Sequence, residues 1–241
     1  MRWSVTPLLL TLPFGALAAP AACEATSPAL LTPVIELYTS EGCSSCPPAD
    51  RWLSTLKPAA ASGQAVVQAF HVGYWDYIGW VDRFASPAHT TRQRQIAAAN
   101  GLRSIYTPQL VRDGQDWRDY ARALPTAASP ARATITLQRK GTDAFEATVT
   151  PAAGVEMWSA YWTVTEHGHA SKVKSGENAG ELLKHDFVVR QYVPAGDYRG
   201  HARLSLRTLA PDAAYPRQVN LVVLEPRSGK TLQALSLQCS G

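Results

Sequence analysis

The chain has 241 residues, of which 46% are hydrophobic and 17% charged, and this composition excludes an intrinsically disordered protein. Its net charge is +4, from 23 lysine and arginine against 19 aspartate and glutamate residues, with no basic cluster. Nucleic-acid binding by charge alone is therefore not expected. The length allows one large domain or two small ones.

Residues 1–22 have the pattern of a secretory signal peptide. A positive start at Arg2 is followed by an apolar stretch from Leu8 to Leu17 and by Ala16-Leu17-Ala18, which has the form of a cleavage site. The apolar stretch is about half as long as a transmembrane helix requires, and no later segment is long enough. We therefore predict a periplasmic or secreted protein without a transmembrane segment.

A lipid anchor on Cys23 is the alternative to a cleaved, unanchored chain. The residues before Cys23 are Pro20-Ala21-Ala22, and Pro20 fits a lipid-attachment site poorly. Export also sets the expected redox environment, because disulfides persist in exported compartments.

Residues 30–125 are predicted to form an α/β domain, because strand-like runs alternate with helical patterns. Ser86 followed by Pro87 is typical of a helix N-cap and first turn. The elements predicted in chain order are a strand at Pro33–Thr39, a helix from Cys43 to Pro58, a strand at Ala65–Val72, a helix from Ser86 to Asn100, a strand at Gln109–Arg112, a turn at Asp113-Gly114 and a short helix at Asp119–Leu124.

Residues 131–241 are predicted to form a second, β-rich domain that resembles a β-sandwich. A Pro- and Ala-containing stretch, Pro125–Pro130, is the predicted linker. Short apolar runs then follow one another at the spacing of a sandwich or barrel. These predicted strands are Thr134–Arg139, Phe145–Thr150, Ser159–Thr165, Phe187–Val193, Ala202–Thr208, Val219–Leu224 and Thr231–Leu237.

The most informative motif is Cys43-Ser44-Ser45-Cys46, which follows a predicted strand and opens a predicted helix. The first turn of a helix has unpaired N–H groups and a positive dipole end, and both favour a thiolate over a thiol. Cys43 is therefore expected to have a lowered pKa. Cys46 lies one helical turn further along and can close a disulfide with it.

The cysteine pair is also compatible with two roles outside redox catalysis. The first is a structural disulfide. The second is a metal site, in which His71 would be a third ligand beside Cys43 and Cys46 and the set would suit copper or zinc. A structural zinc site usually needs four ligands from two such pairs, and the chain has no second pair.

Thr107-Pro108, just before the third predicted strand, adds to the redox interpretation, and here the sequence resembles the thioredoxin superfamily. In that superfamily a cis-proline, often preceded by threonine, faces the cysteine pair. A longer set of segments resembles a bacterial secreted thioredoxin-like family of unknown function; they are Glu36–Asp50, His71–Trp80, Phe84–Pro87, Thr91–Arg94 and Tyr106–Gln109.

The resemblance implies roles for particular residues. Thr107 and Pro108 would hold the backbone of a partner beside the sulfurs. Glu36 would correspond to a buried acid that moves protons, although it precedes the first cysteine by seven residues rather than six. The alternative for Glu36 is that it faces solvent or pairs with a basic residue. The chain departs from the family at Gly73, where an aspartate is usual, and at Arg83, where proline is frequent.

An aromatic patch follows the second predicted strand. The patch either binds a peptide or sugar or packs a loop against the rest of the protein, and it consists of Tyr74, Trp75, Tyr77 and Trp80. Tyr74 and Trp75 are the candidate substrate-binding residues of this patch.

The remaining two cysteines, Cys23 and Cys239, lie near the ends of the mature chain. If Cys43 and Cys46 form one disulfide, Cys23 and Cys239 form the other, and closing so long a loop stabilises by about 4–5 kcal/mol on the chain-entropy model. This second disulfide is expected to be structural.

The sequence therefore predicts thiol–disulfide exchange with protein or peptide partners, through Cys43 and Cys46. It predicts no organic cofactor, because it has no glycine-rich phosphate loop or dinucleotide fingerprint. A metal-handling protein and a non-catalytic binding protein are the alternatives.

Overall fold

We describe the protein from a computed structural model, which covers residues 1, 23–127 and 129–239. Apart from Met1, the predicted signal peptide lies outside the described residues. Within them, no helix is both long and apolar enough to cross a membrane.

Strands dominate the described chain. The strands are β1 (Glu24–Thr26), β2 (Val34–Thr39), β3 (Val66–His71), β4 (Gln109–Arg112), β5 (Gln115–Asp116), β6 (Ala133–Arg139), β7 (Ala144–Pro151), β8 (Trp158–Glu166), β9 (His169–Lys172), β10 (Leu182–His185), β11 (Val188–Tyr198), β12 (Ala202–Arg207), β13 (Arg217–Leu224) and β14 (Thr231–Leu237). The helices are α1 (Cys46–Ser54), α2 (Lys57–Ala61) and α3 (Pro87–Ala99), with 3-10 turns at Asp76–Ile78 and Tyr120–Arg122.

One eight-stranded sheet joins the two halves of the chain. Its order is β14-β13-β8-β11-β3-β2-β4-β5. Strands β2 and β3 run parallel, with Glu36 opposite Gln68. The other edge of β3 meets β11 through the pair Val188 and Ala69, and beyond it the strands β11, β8, β13 and β14 are antiparallel. The two segments predicted as separate domains therefore contribute to the same sheet.

The predicted α/β class, with a thioredoxin-like domain, is wrong. The described part of the chain is mostly β, with 40% of its residues in strands and 15% in helices, arranged in several sheets. The alternation of strands and helices over residues 33–112 is real, but it yields only the parallel pair of β2 and β3. Strand β11, from the second half of the chain, runs parallel to the other edge of β3. Within the described residues the antiparallel strands β8, β13 and β14, and no further βα unit, extend the sheet beyond β11.

A second sheet of four strands, in the order β1-β6-β7-β12, packs against the β8, β13 and β14 end of the large sheet. Their inward-facing side chains alternate with exposed ones, as in β6, where buried and exposed positions follow each other. The core between the two sheets contains Ile135, Leu137, Val149, Trp158, Trp162, Leu204, Leu221 and Leu235.

Helix α1 packs on the opposite end of the large sheet and positions the cysteine pair. Leu53 from α1 contacts a buried layer that contains Ile35 and Leu37 of β2. The predicted helix from Cys43 to Pro58 is divided, because α1 ends at Ser54 and Pro58 lies in the first turn of α2. A proline is accepted there because first-turn N–H groups have no helical partner.

The predicted start of helix α3 is confirmed. The side chain of Ser86 accepts a hydrogen bond of 3.3 Å from the N–H of Ala88, and Pro87 occupies the first turn. The helix ends at Ala99, followed by Asn100 as its C-cap. It packs against the face of the large sheet opposite to α1, through Ile96.

Strands β9 and β10 form a hairpin that is a sheet of its own. Neither strand was predicted, because only two of the four residues in each are buried and neither forms a continuous apolar run. Strand β10 packs against α1. The hairpin therefore brings residues from the second half of the chain to the cysteine pair.

Candidate functional site

Cys43 and Cys46 form a disulfide at the N-terminus of α1, with their Cα atoms 5.4 Å apart. Ser45 is the N-cap residue, and its hydroxyl lies 3.3 Å from the sulfur of Cys43. The two serines between the cysteines are exposed, whereas Cys43 is only 1% exposed. The disulfide thus sits at the positive end of the helix, where a thiolate released on reduction is stabilised.

The loop from β2 to the disulfide is tight. The N–H of Cys43 donates to the carbonyl of Ser40 at 3.2 Å, and the N–H of Gly42 donates to the Ser40 hydroxyl at 3.2 Å. A Cβ on Gly42 would lie 2.9 Å from the Cβ of Trp75. The absence of a side chain at Gly42 therefore allows the aromatic segment to approach the cysteine loop.

Thr107 and Trp75, both predicted as substrate-binding residues, are in direct contact. The indole Nε1 of Trp75 donates a hydrogen bond of 2.7 Å to the hydroxyl of Thr107. The Thr107-Pro108 peptide bond is cis. Since Trp75 also packs on Gly42, these contacts place the Thr107-Pro108 segment on the cysteine side of the protein.

Tyr74, the other candidate from the aromatic patch, is half-buried. Burial raises the pKa of its phenol, and its hydroxyl has no hydrogen-bond partner among the described residues. Tyr77 is exposed, and Trp80 donates a hydrogen bond of 2.7 Å to Glu41. The predicted patch is therefore divided between packing positions and exposed ones.

A buried cluster of ionisable side chains lies beside the disulfide. Nδ1 of His71 is 2.7 Å from Oδ2 of Asp82. Nε2 of His185 is 3.2 Å from Oε1 of Glu41, and its Nδ1 is 4.0 Å from Oδ2 of Asp50. The rings of His71 and His185 are 4.9 Å apart. These groups come from four separate parts of the chain, and only His71 was predicted as a candidate.

The carboxyl groups of this cluster differ in the direction of their pKa shifts, which are downward for Glu41 and Asp82 and upward for Asp50. Burial alone raises the pKa of Glu41, but His185 and a hydrogen bond from Trp80 outweigh it, so the pKa is lowered. Burial also raises the pKa of Asp82, but the interaction with His71 outweighs burial, so the pKa of Asp82 is lowered. The pKa of His71 is raised because Asp82 outweighs the effect of burial.

Asp50 differs from both neighbouring carboxylates, because burial raises its pKa more than His185 and His71 lower it. Asp50 lies on α1, four residues after Cys46, and so on the same face of the helix. The hydroxyl of Thr39 donates a hydrogen bond of 3.0 Å to it. A carboxyl group whose pKa is raised by burial is thereby placed one helical turn from the disulfide.

Glu36 is not placed with the cysteines. Arg92 binds it with two hydrogen bonds, of 2.9 and 2.6 Å. The hydroxyls of Tyr38 and Tyr161 donate to it at 2.8 and 3.1 Å. Successive side chains of a strand point to opposite faces, and Leu37 faces α1. Glu36 therefore faces away from the disulfide, and its position does not fit the proton-transfer role that the resemblance implied.

The structure does not assemble the alternative metal site. Among the residues described here, no group of three or more His, Cys, Asp or Glu side chains is arranged to hold a metal ion. Cys43 and Cys46 are bonded to each other, and Nδ1 of His71 is engaged by Asp82.

The loop between β9 and β10, residues 173–181, contributes contacts that the sequence did not indicate. The carboxylate of Glu177 accepts a hydrogen bond of 2.9 Å from the N–H of Ser44. The side-chain amide of Asn178 donates to the carbonyls of Glu41 and Cys43, at 2.8 and 3.1 Å. A cleft of about 470 Å³ opens between this loop and the start of α1, and it is lined in part by Ser44, Asp50 and His185.

The second disulfide is formed as predicted. Cys23 and Cys239 are bonded, with their Cα atoms 5.7 Å apart and a sequence separation of 216. They pack at the margin of the core between the two sheets. Disulfides of this kind are characteristic of oxidising compartments.

The fold and site together define a β-rich protein with a C-x-x-C disulfide at the start of a helix. The chain belongs to a family of proteins of unknown function, DUF1223, which matches residues 34–224. The redox interpretation accordingly stays a prediction.

A crystal structure of an Agrobacterium tumefaciens protein, determined by a structural genomics consortium, has a similar fold. Its TM-score is 0.66 at 24% sequence identity, and the match covers 86% of this chain and 94% of that one. No curated protein matches the chain.

Proposed function

We propose that the protein exchanges thiols and disulfides with protein or peptide partners through Cys43 and Cys46. The observation that carries this proposal is the Cys43–Cys46 disulfide at the N-terminus of α1, with the buried carboxyl of Asp50, whose pKa is raised by burial, one turn beyond Cys46. A helix N-terminus stabilises the thiolate that exchange requires.

The proposed oxidising direction is a two-step exchange. A partner thiolate attacks the sulfur of Cys43, the Cys43–Cys46 bond breaks, and Cys46 leaves as a thiolate. A second partner thiolate then attacks the partner sulfur of this mixed disulfide and releases Cys43. The partner dithiol is oxidised to a disulfide, and the two electrons remain with the two cysteines. The reverse sequence reduces a partner disulfide.

Asp50 is the proposed proton source and acceptor for Cys46. The departing thiolate of Cys46 takes up a proton as it becomes a thiol, and a buried carboxyl with a raised pKa holds one near neutral pH more readily than an exposed carboxyl does. Thr107 and Pro108 are the proposed support for the partner backbone, since Trp75 fixes the threonine hydroxyl.

The proposed compartment is the periplasm or the cell exterior. The Cys23–Cys239 disulfide requires oxidising conditions to persist, and the sequence of residues 1–22 has the pattern of an export signal.

A redox titration of the mature, metal-free protein in glutathione buffers tests the proposed function. Mass spectrometry after alkylation follows each disulfide separately. We expect a Cys43–Cys46 potential between about −120 and −270 mV, which is the range of catalytic disulfides. A Cys23→Ser, Cys239→Ser double variant is the matched control and should leave that potential unchanged.

A second measurement tests turnover itself. The Cys46→Ser variant should accumulate a mixed disulfide with a peptide substrate at Cys43, because no second cysteine remains to resolve it, whereas Cys43→Ser should not accumulate one at the same rate. A potential below about −300 mV would identify a structural disulfide and favour a non-catalytic binding protein.

A further inference from the structure

Residues 173–181 cross the backbone on both sides of Cys43. Asn178 donates to the carbonyls of Glu41 and Cys43, and Glu177 accepts from the N–H of Ser44. Two adjacent side chains of one loop thereby occupy three backbone groups next to the disulfide. These are the groups that an extended partner segment would use, since main-chain hydrogen bonds are how extended peptides are commonly held.

The loop is also fitted against the aromatic segment that precedes α3. The hydroxyl of Ser175 donates to the carbonyl of Gly79. Gly176 has a positive φ of 77°, and a Cβ there would lie 3.2 Å from the side chain of Ile78. Asn178 is 6% exposed, although it sits in a loop, and Cys43 beneath it is 1% exposed. Cys43 is therefore nearly closed to solvent while these contacts are made, and the loop covers part of its surface.

The attachment of this loop differs from that of the strands around it. Strands β9 and β10 pair only with each other among the described strands, so no ladder of backbone hydrogen bonds ties the hairpin to the large sheet. Glu177, which holds Ser44, is exposed to solvent. A segment held by a few side-chain hydrogen bonds opens at lower cost than a strand inside a sheet.

We propose that residues 173–181 are an intramolecular cap, which occupies the position of the partner segment beside Cys43 and must be displaced before the disulfide reacts. The proposal of a cap rests on the proposed function only for the identity of the partner that displaces the cap. Its effect on access to the disulfide is independent of whether the protein catalyses exchange.

The test is the rate at which dithiothreitol reduces Cys43–Cys46 in the native protein. A dithiothreitol thiolate attacks one cysteine sulfur and the other leaves as a thiolate. The second dithiothreitol thiol, as a thiolate, then closes the oxidised ring and releases the first cysteine. Samples are quenched by alkylation and analysed by mass spectrometry, with Cys23–Cys239 in the same molecule as the internal reference.

Three variants make the test specific. Asn178→Ala removes two hydrogen bonds of the cap and should speed reduction at least about fivefold, and Glu177→Gln should speed it about twofold or more. Glu181→Gln changes the exposed carboxylate at the last position of the cap. That carboxylate makes no hydrogen bond in the described structure and holds none of the contacts to the cysteine loop, so the rate should stay unchanged. If Asn178→Ala does not fold, the surface variant Glu177→Gln decides.

The outcomes separate the cap from the proposed function. Faster reduction of the two cap variants with a wild-type potential below about −300 mV would support the cap and contradict exchange activity. Wild-type reduction rates in folded Asn178→Ala and Glu177→Gln would overturn the cap, whatever the potential.

Discussion

The hydroxyl of Thr39, the last residue of β2, donates a hydrogen bond of 3.0 Å to the buried carboxyl of Asp50 in α1. This contact joins the end of the central parallel strand to the helix that carries Cys46. The pKa of Asp50 is nevertheless raised, because burial outweighs the hydrogen bond and the nearby histidines. The ionisation of this carboxyl group is therefore less favourable in the folded state than in the unfolded chain.

The first prediction concerns the pH dependence of stability. A carboxyl with a raised folded pKa binds its proton more tightly in the native state, so its destabilising effect is absent below the unfolded pKa of about 3.9 and is complete above the folded pKa. Asp50→Asn keeps an acceptor for Thr39 and removes the charge. We expect the variant to have a higher free energy of unfolding than the wild type at pH 7 and a similar one near pH 3.

Urea unfolding at a series of pH values measures this difference. Asp197→Asn, at an exposed position of β11, is the control and should follow the wild-type profile. A variant that is less stable than the wild type at pH 7 would mean that the Asp50 charge is stabilised by His185 and His71 more than it is penalised by burial.

The second prediction concerns the ion pair on the other face of the sheet. Arg92→Met should lower the free energy of unfolding by about 3–5 kcal/mol, because it leaves the carboxylate of Glu36 buried without its charged partner. Guanidinium unfolding measures the loss. Arg94→Met, on the exposed side of the same helix, should change stability by no more than about 0.5 kcal/mol.

The same variant separates the ion pair from redox chemistry. Because Glu36 and Arg92 lie on the sheet face opposite to α1, the Cys43–Cys46 potential should be the same in Arg92→Met as in the wild type. A changed potential would restore Glu36 as a residue that acts on the cysteines.

The third prediction concerns the contact between Trp75 and Thr107. Thr107→Val keeps the branched shape of the side chain and removes the acceptor of the indole N–H, which is held at 2.7 Å. Steady-state exchange with a peptide disulfide should show a KM about fivefold higher, with kcat within about twofold, because one neutral hydrogen bond contributes about 1 kcal/mol. Thr134→Val, at an exposed position of β6, is the control. An unchanged KM would remove Thr107 from the proposed binding surface.

The fourth prediction concerns the Cys23–Cys239 disulfide. Replacing both cysteines with serine removes a cross-link between residues that are 216 positions apart in sequence. The chain-entropy model then gives a loss of about 5 kcal/mol in the free energy of unfolding. Guanidinium unfolding of the oxidised proteins measures it. A loss below about 1 kcal/mol would show that the termini are held by packing in the core between the two sheets.

Local sequence signals account for the elements around the site. The strands Val34–Thr39, Val66–His71 and Gln109–Arg112 were predicted within one residue at each end, since each is a short apolar run with a turn signal after it. The Ser86-Pro87 start of α3 was also predicted, because capping depends on neighbouring residues. The position of Cys43 and Cys46 at a helix N-terminus follows from the same kind of signal.

Signals between neighbouring residues were therefore enough to predict these elements and the placement of the cysteine pair, and the pairing of Cys23 with Cys239 followed from the pairing of Cys43 with Cys46. The packing of the whole chain was needed to show that β11 completes the sheet beside β3, that Arg92 neutralises Glu36, and that Asn178 reaches the backbone of Cys43. The reason is physical: periodicity and capping act between neighbouring residues, whereas the edge of a strand offers the same N–H and C=O groups to any partner. Which distant segment takes that edge depends on how the whole chain packs.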